Sequence, residues 1–245
     1  MLLALVLSTA ALAADRPPAE TLARLESAGT VLEKWPGTFL LTTRAVVSKT
    51  NGDDPEESAS VMRMGAGAGG PEVVEVVSAT RAGKDVTAEA RAELAKEREQ
   101  AGVKKKEKAK EGDEEDDEDL EMTLPGGKHT DSFAFTPLPA EGDACGAAFA
   151  PRPEHANDAG LTTGELRWSC TSLDPLWVVA RPAKNPKGVK EMSLRLEIVR
   201  AGDTLYVGRT VTDGVGGVLF IKRKFHVETE VSELAPAAPP PAGAR

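Results

Sequence analysis

The sequence predicts a mainly β protein of α+β type, a curved antiparallel sheet or open half-barrel wrapped around an N-terminal helix. Three observations predict it. Apolar residues alternate with polar ones in many short runs, as where Met192, Leu194, Leu196 and Ile198 interleave with Ser193, Arg195 and Glu197, the pattern of a strand with one wet face. Short turns rich in Gly, Pro, Asn and Asp join these runs, which makes neighbours antiparallel and leaves no βαβ alternation. One helical pattern precedes them, at 17–34, with Leu22, Leu25, Val31 and Leu32 near helical spacing between Pro17-Pro18 and Pro36-Gly37.

Ahead of that helix, residues 1–14 read as a secretory signal. Leu2 to Leu7 form an apolar run, Ala11-Leu12-Ala13 supplies small residues for cleavage near Ala13 or Ala14, and no Lys or Arg precedes the run. It is too short to span a bilayer, which takes roughly 20 apolar residues. With no Cys at the cleavage point, the mature chain is expected to be soluble, periplasmic or secreted, and without an integral membrane span.

The body of the chain then divides into 15–100, the helix, first strands and a second helix, and 120–232, the remaining strands of the same β domain. A charged, disordered excursion at 101–119 separates them, and a disordered Pro/Ala tail follows at 233–245. Thr38–Val47 is rich in β-branched and apolar residues and reads as a strand. Asn51-Gly52 to Pro55 is a turn, and strands follow at 57–64 and 72–81 with a flexible loop from Gly65 to Gly70. Thr87 is placed to cap a helix from Ala88 to Gln100. Beyond it, Lys104–Lys108 is basic and 113–119 is uninterrupted Asp and Glu, a solvated charge block. Leu120, Met122 and Leu124 alternate as a strand. So do the runs at 132–137, 147–149, 164–171, 176–180, 192–198, 204–211 and 218–231, with Asp213–Gly217 as a loop between the last two. The total is nine or ten strands.

Composition closes several classes of function. The chain has 245 residues, and its net charge of -9 gives it no electrostatic reason to bind nucleic acid. Aromatic content is 4%, so the core rests mainly on Val, Leu and Ala. The two cysteines, Cys145 and Cys170, sit in an exported chain, where a disulfide is the default reading. No cofactor, catalytic residue or metal site is expected. GxSxG and HExxH are absent, and His129, His155 and His226 are scattered. The stretch Gly65-Ala66-Gly67-Ala68-Gly69-Gly70 formally matches GxGxxG but is followed by Pro71 and a strand, not by the helix that phosphate binding needs. Glu165 and Asp174, near Trp168, form a carboxylate pair of the kind glycoside chemistry uses, but Ser172-Leu173-Asp174-Pro175 reads instead as a turn. A calcium site in the acidic run would need spaced ligands around a turn, not a uniform block. The basic strand Lys222-Arg223-Lys224 suits contact with anionic lipid head groups or a partner, but reads more simply as a solvated face or an edge kept from aggregating.

Four local stretches carry a family resemblance. They are Gly83 to Thr87 entering a charged helix, Phe149-Ala150-Pro151, the Pro182 to Pro186 turn, and Leu219 to Arg223. With the order of helix, strands, helical insertion and more strands, the chain over 35–232 resembles the periplasmic lipoprotein-carrier (LolA-like) and stress-sensor (RseB-like) superfamily. The resemblance implies a non-enzymatic protein that binds a lipid, acyl chain or lipoprotein in the concave face of a curved sheet. The alternative is an envelope protein-protein interaction module, a sensor or assembly factor with no small-molecule ligand. A monomer is expected. The groove candidates are Trp35, Phe39, Leu41, Trp168, Trp177 and Phe220. The three tryptophans among them suit an ordinary core as well, since large aromatics dominate burial energetics.

Overall fold

The computed structural model describes residues 16–49, 55–67, 69–107, 122–186, 188–218 and 221–236. The expected signal at 1–14, the tip of the Asn-Gly turn, the acidic run, Phe220 and the tail from 237 lie outside those residues.

Strand alternation builds a single sheet. β1 (Thr38–Lys49), β2 (Glu56–Gly67), β3 (Gly70–Arg81), β4 (Lys84–Asp85), β5 (Phe133–Glu141), β6 (Ala144–Pro151), β7 (Thr162–Ser169), β8 (Pro175–Pro182), β9 (Val189–Ala201), β10 (Thr204–Val218) and β11 (Ile221–Ala235) run in that chain order. Their order in space is β4-β3-β2-β1-β11-β10-β9-β8-β7-β6-β5. Each neighbouring pair is antiparallel. The sheet is open and curved, with β4 and β5 at its edges, and eleven strands exceed the predicted nine or ten.

The helical pattern becomes α1 (Ala19–Thr30), continued by a 3-10 turn at Val31–Lys34. Thr21, Leu22, Leu25 and Ala28 are its buried stripe, spaced to face one way on a helix. They join Phe133, Ala147, Phe149, Leu161, Leu166, Trp168, Val178, Ala180 and Ile198 in the main core, and α1 itself lies against β8 and β10 on that face. Burying Leu22 and Leu25 stabilises this docking by about 2 kcal/mol each. Phe133 and Phe149 meet edge to face at 5.7 Å.

Polar bonds fix α1 in register at the β7–β8 turn. Thr21 Oγ1 donates to the Leu173 carbonyl at 2.9 Å, and Arg24 donates to the Ser172 carbonyl at 2.7 Å and to the Asp174 carboxylate. Arg200 from β9 grips the same carboxylate through both oxygens, at 2.7 and 2.8 Å. Burial opposes ionisation of Asp174, but hydrogen bonds from Arg200, Ser172 and Arg24 outweigh it and hold its pKa below the usual carboxylate range. The expected Cys145–Cys170 disulfide is present and ties β6 to this turn.

Several elements depart from the sequence reading for identifiable reasons. Asp213–Gly217 is not a loop: β10 continues through it, paired to β11 as far as Val218↔Ile221. Gly214 is needed inside that strand because a Cβ there would lie 2.2 Å from the Phe225 ring on β11. The Gly65–Gly70 loop shrinks to a tight hairpin, with Gly67 paired to Gly70. Met122 and Leu124 pack against the core, and among the described residues of their segment the sheet-like pairing is the single bridge Thr123↔Leu161. The second helix, α2, spans Thr87–Glu107 and so runs into the segment read as disordered. At its start the Thr87 N–H donates to Asp85 Oδ1 at 2.8 Å, while the Thr87 hydroxyl takes the Ala79 N–H at 2.9 Å. Thr87 therefore ties α2 to β3 instead of capping the helix.

Candidate functional site

Because side chains alternate along a strand, the face away from α1 is built from the residues between those of the core. Two cavities open on this outer face. One, of ≈ 740 Å³, crosses β5 to β9. Its floor is small: Ala134 on β5 pairs with Ala150 on β6, and Thr136 pairs with Ala148. Thr163, Val179 and Ser193 continue the floor across β7, β8 and β9. Short side chains flanked by long ones make a depression, and here the wall is Trp177 on β8. Its ring lies 5.0 Å from the Arg195 guanidinium and 6.0 Å from that of Arg167, contacts of cation–π type.

Arg167 is 6% exposed. It lies flat over Gly146, where a Cβ would come within 2.6 Å of its chain. Its guanidinium donates to the Pro139 carbonyl at 2.7 Å and to Glu141 at 3.0 Å. Trp177 is thus held on a fixed arginine bed rather than swinging free.

The second cavity, of ≈ 840 Å³, lies over β8 to β11 and β1, with Val46, Val215, Lys190, Lys224 and the Asp213–His226 pair in its lining. His226 Nδ1 is 2.7 Å from Asp213 Oδ1. Arg181 and Ser193 belong to both linings, so the two cavities meet there and form one trough across the sheet. Alongside runs an ion ladder, in which Arg209 reaches Glu228 at 2.8 Å and Glu197 at 3.5 Å. The bond from Arg209 holds the Glu228 carboxyl below its usual range.

The predicted groove residues do not share this place. Of the five that are described, Trp177 lines the trough and the other four do not. Trp168 is buried against α1 on the opposite face, and Phe39 is 3% exposed. Leu41 is half-buried beside Met62 and Val231. Trp35 donates its indole N–H to the Ala235 carbonyl at 2.9 Å. Glu165 and Asp174 do not meet either, since Glu165 lines the trough and Asp174 is committed to Arg24 and Arg200. Sequence reasoning missed Ala134, Ala148, Ala150 and Arg181, because small residues and one arginine in separate strands carry no local signal. Among the described residues no group of three His, Cys, Asp or Glu could hold a metal ion, and no helix is long and apolar enough to cross a membrane.

Fold and site together define a mainly β protein with an open antiparallel sheet, one face packed by a helix and the other carrying an amphipathic trough. No protein-family model and no curated protein sequence matches the chain. Among solved structures it is similar to the MucA/MucB complex of Pseudomonas aeruginosa, at 10% identity over 90% of this chain and 100% of that one, with a TM-score of 0.21. It is also similar to MucB in complex with MucA(peri), at 10% identity over 88% and 98% of the two chains, with a TM-score of 0.18. Scores this low define neither a family nor a ligand for the chain.

Proposed function

We propose that this chain is a non-enzymatic protein of the bacterial envelope that binds the acyl chain of a lipid or lipoprotein in the outer trough. The observation that supports it is the Ala/Thr/Val floor beside the clamped Trp177 ring. An extended methylene chain laid there leaves water at about 0.8 kcal/mol per buried CH₂, and the floor asks for no specific hydrogen bond. A volume of ≈ 740 Å³ falls within the range of small-molecule sites. Glu165 is the one acid among the lining residues of that cavity, and the Asp213–His226 pair of the trough lies in the other one. The helix-bearing face is the less suitable place, because Leu22, Leu25 and Ala28 of α1 pack into the core there.

The alternative, a protein partner recognised through a sheet edge, has β5 to work with, since that strand has a neighbour on one side only. Pro137 and Pro139 lie within β5 and bring no N–H donors to an added strand, which favours the trough. The test is binding of a fluorescent fatty-acid probe to delipidated protein. Saturable binding is expected, lost in Ala148→Leu, which fills the floor, and weakened in Trp177→Ala. A delipidated protein that takes up no acyl probe sinks the proposal.

A further inference from the structure

We infer that the ligand of the trough is an anionic amphiphile whose head group, a carboxylate or a phosphate, is received by Arg181. This rests on the acyl reading above and names the head that goes with the chain. Arg181 stands on β8 at the waist where the two cavities join, and its side chain is exposed there. The arginines nearest to it on this face are engaged: Arg167 with Glu141, Arg195 with Glu197, and Arg209 with Glu197 and Glu228; Arg44 stands further off on β1, cross-strand from Glu228. Among the described residues Arg181 makes no ion pair. Its cross-strand partner is Thr163, whose hydroxyl is already spent on the Phe149 carbonyl at 3.0 Å. A guanidinium left open at the centre of a small-residue floor can offer a forked pair of N–H donors to an anion, while a chain runs from it towards Trp177.

The remaining charges around the waist are mixed. Lys190 and Lys224 line the far cavity, where Asp213 is taken by His226 and Glu191 is a further lining residue. Glu165 is the acid on the near side, cross-strand from Val179 and diagonal to Arg181, without pairing to it. Glu165 therefore opposes an anion placed too deep and sets the head at Arg181 rather than at mid-floor.

The experiment measures binding of palmitate, hexadecanol and palmitoyl lysophosphatidate to the full chain by competition with the fluorescent acyl probe. Palmitate and the lysophosphatidate are expected to bind about tenfold more tightly than hexadecanol. In Arg181→Gln, an exposed substitution, the gap should collapse while hexadecanol binding stays as it was; Arg181→Lys should retain part of it. Glu165→Gln should tighten palmitate and leave hexadecanol unchanged. A stronger lysophosphatidate than palmitate assigns the phosphate as the preferred head, and the reverse assigns the carboxylate; either result supports an anion site. Equal binding of palmitate and hexadecanol to the native protein overturns the inference, as does a gap that survives Arg181→Gln. If none of the three binds, it is the acyl reading that has failed, and the head-group assignment goes with it.

Discussion

Helix α2 is held to the sheet by two arginines, and removing them should release it. The pairing of β2 with β3 slips twice, leaving Val77 and Val74 as extra residues opposite the Val61–Met62 and Arg63–Met64 steps. Such bulges leave backbone carbonyls outside the ladder. Arg91 donates to the carbonyls of Val76 at 2.8 Å and Val77 at 3.2 Å. Arg98 donates to Val73 and, at 3.0 Å, to Val74. The two arginines stand two helical turns apart, roughly 10 Å, and the bulges are separated by roughly the same length of strand, so the spacings match. Apolar anchoring is slight, because only Ala90 and Leu94 of residues 88–100 are half-buried and the rest are exposed. A hydrogen bond from a charged donor contributes roughly 1.5–3 kcal/mol when buried. Discounted for the exposure of these side chains, each clamp is worth about 1 kcal/mol. Arg91→Ala with Arg98→Ala should then weaken docking by about 2 kcal/mol, roughly a 30-fold fall. Native-state hydrogen exchange reads this directly: protection over 87–100 and along β3 should fall by that factor, while β6 to β9 keep theirs. Lysines at both positions should restore less than half, since an ammonium is a point donor without the planar fork. Unchanged protection of α2 in the double alanine variant would refute the clamp.

Four further outcomes follow from the packing. Asp174→Ala should cost about 3 kcal/mol in urea denaturation, because it leaves Arg24 and Arg200 without the carboxylate they share, which is only 15% exposed; a loss under 1 kcal/mol would show that α1 is held by its apolar stripe alone. Asp85, Asp143, Asp174 and Glu228 all have lowered folded pKa values. Lowered values mean stability that is fully present above the ordinary carboxylate range of about 4 and lost as pH falls through the folded values, so an acid titration of the thermal midpoint should drop steeply only below that range. Gly164→Ala should destabilise by about 3 kcal/mol, since its Cβ would lie 1.9 Å from the Val179 carbonyl oxygen, which is backbone and cannot yield; Gly29→Ala in α1, with nothing within 4 Å, should stabilise by about 0.5–1 kcal/mol in the same assay. Replacing both Cys145 and Cys170 by Ser should lower stability by about 3 kcal/mol through the freed loop, and reductant should do to the native protein what the substitution does.

The sequence by itself determined the class of fold, the places of most strands, the N-terminal helix and the cysteine pair. These are local or compositional matters: period-2 alternation marks a half-buried strand wherever it falls, and two cysteines admit one pairing. Tertiary structure decided what each residue faces. Trp168 and Trp177 look alike in the chain, yet the β7–β8 register sets Trp177 opposite Arg167, the neighbour of Trp168 that points to the other side of the sheet. The two rings end on opposite faces, one in the core and one on the trough. The run Gly214, Gly216, Gly217 reads as a loop until Phe225 is seen lying across Gly214 from the next strand. The trough floor is drawn from five strands, β5 to β9, and a surface assembled from single alanines and threonines in separate strands exists only once register has brought them side by side.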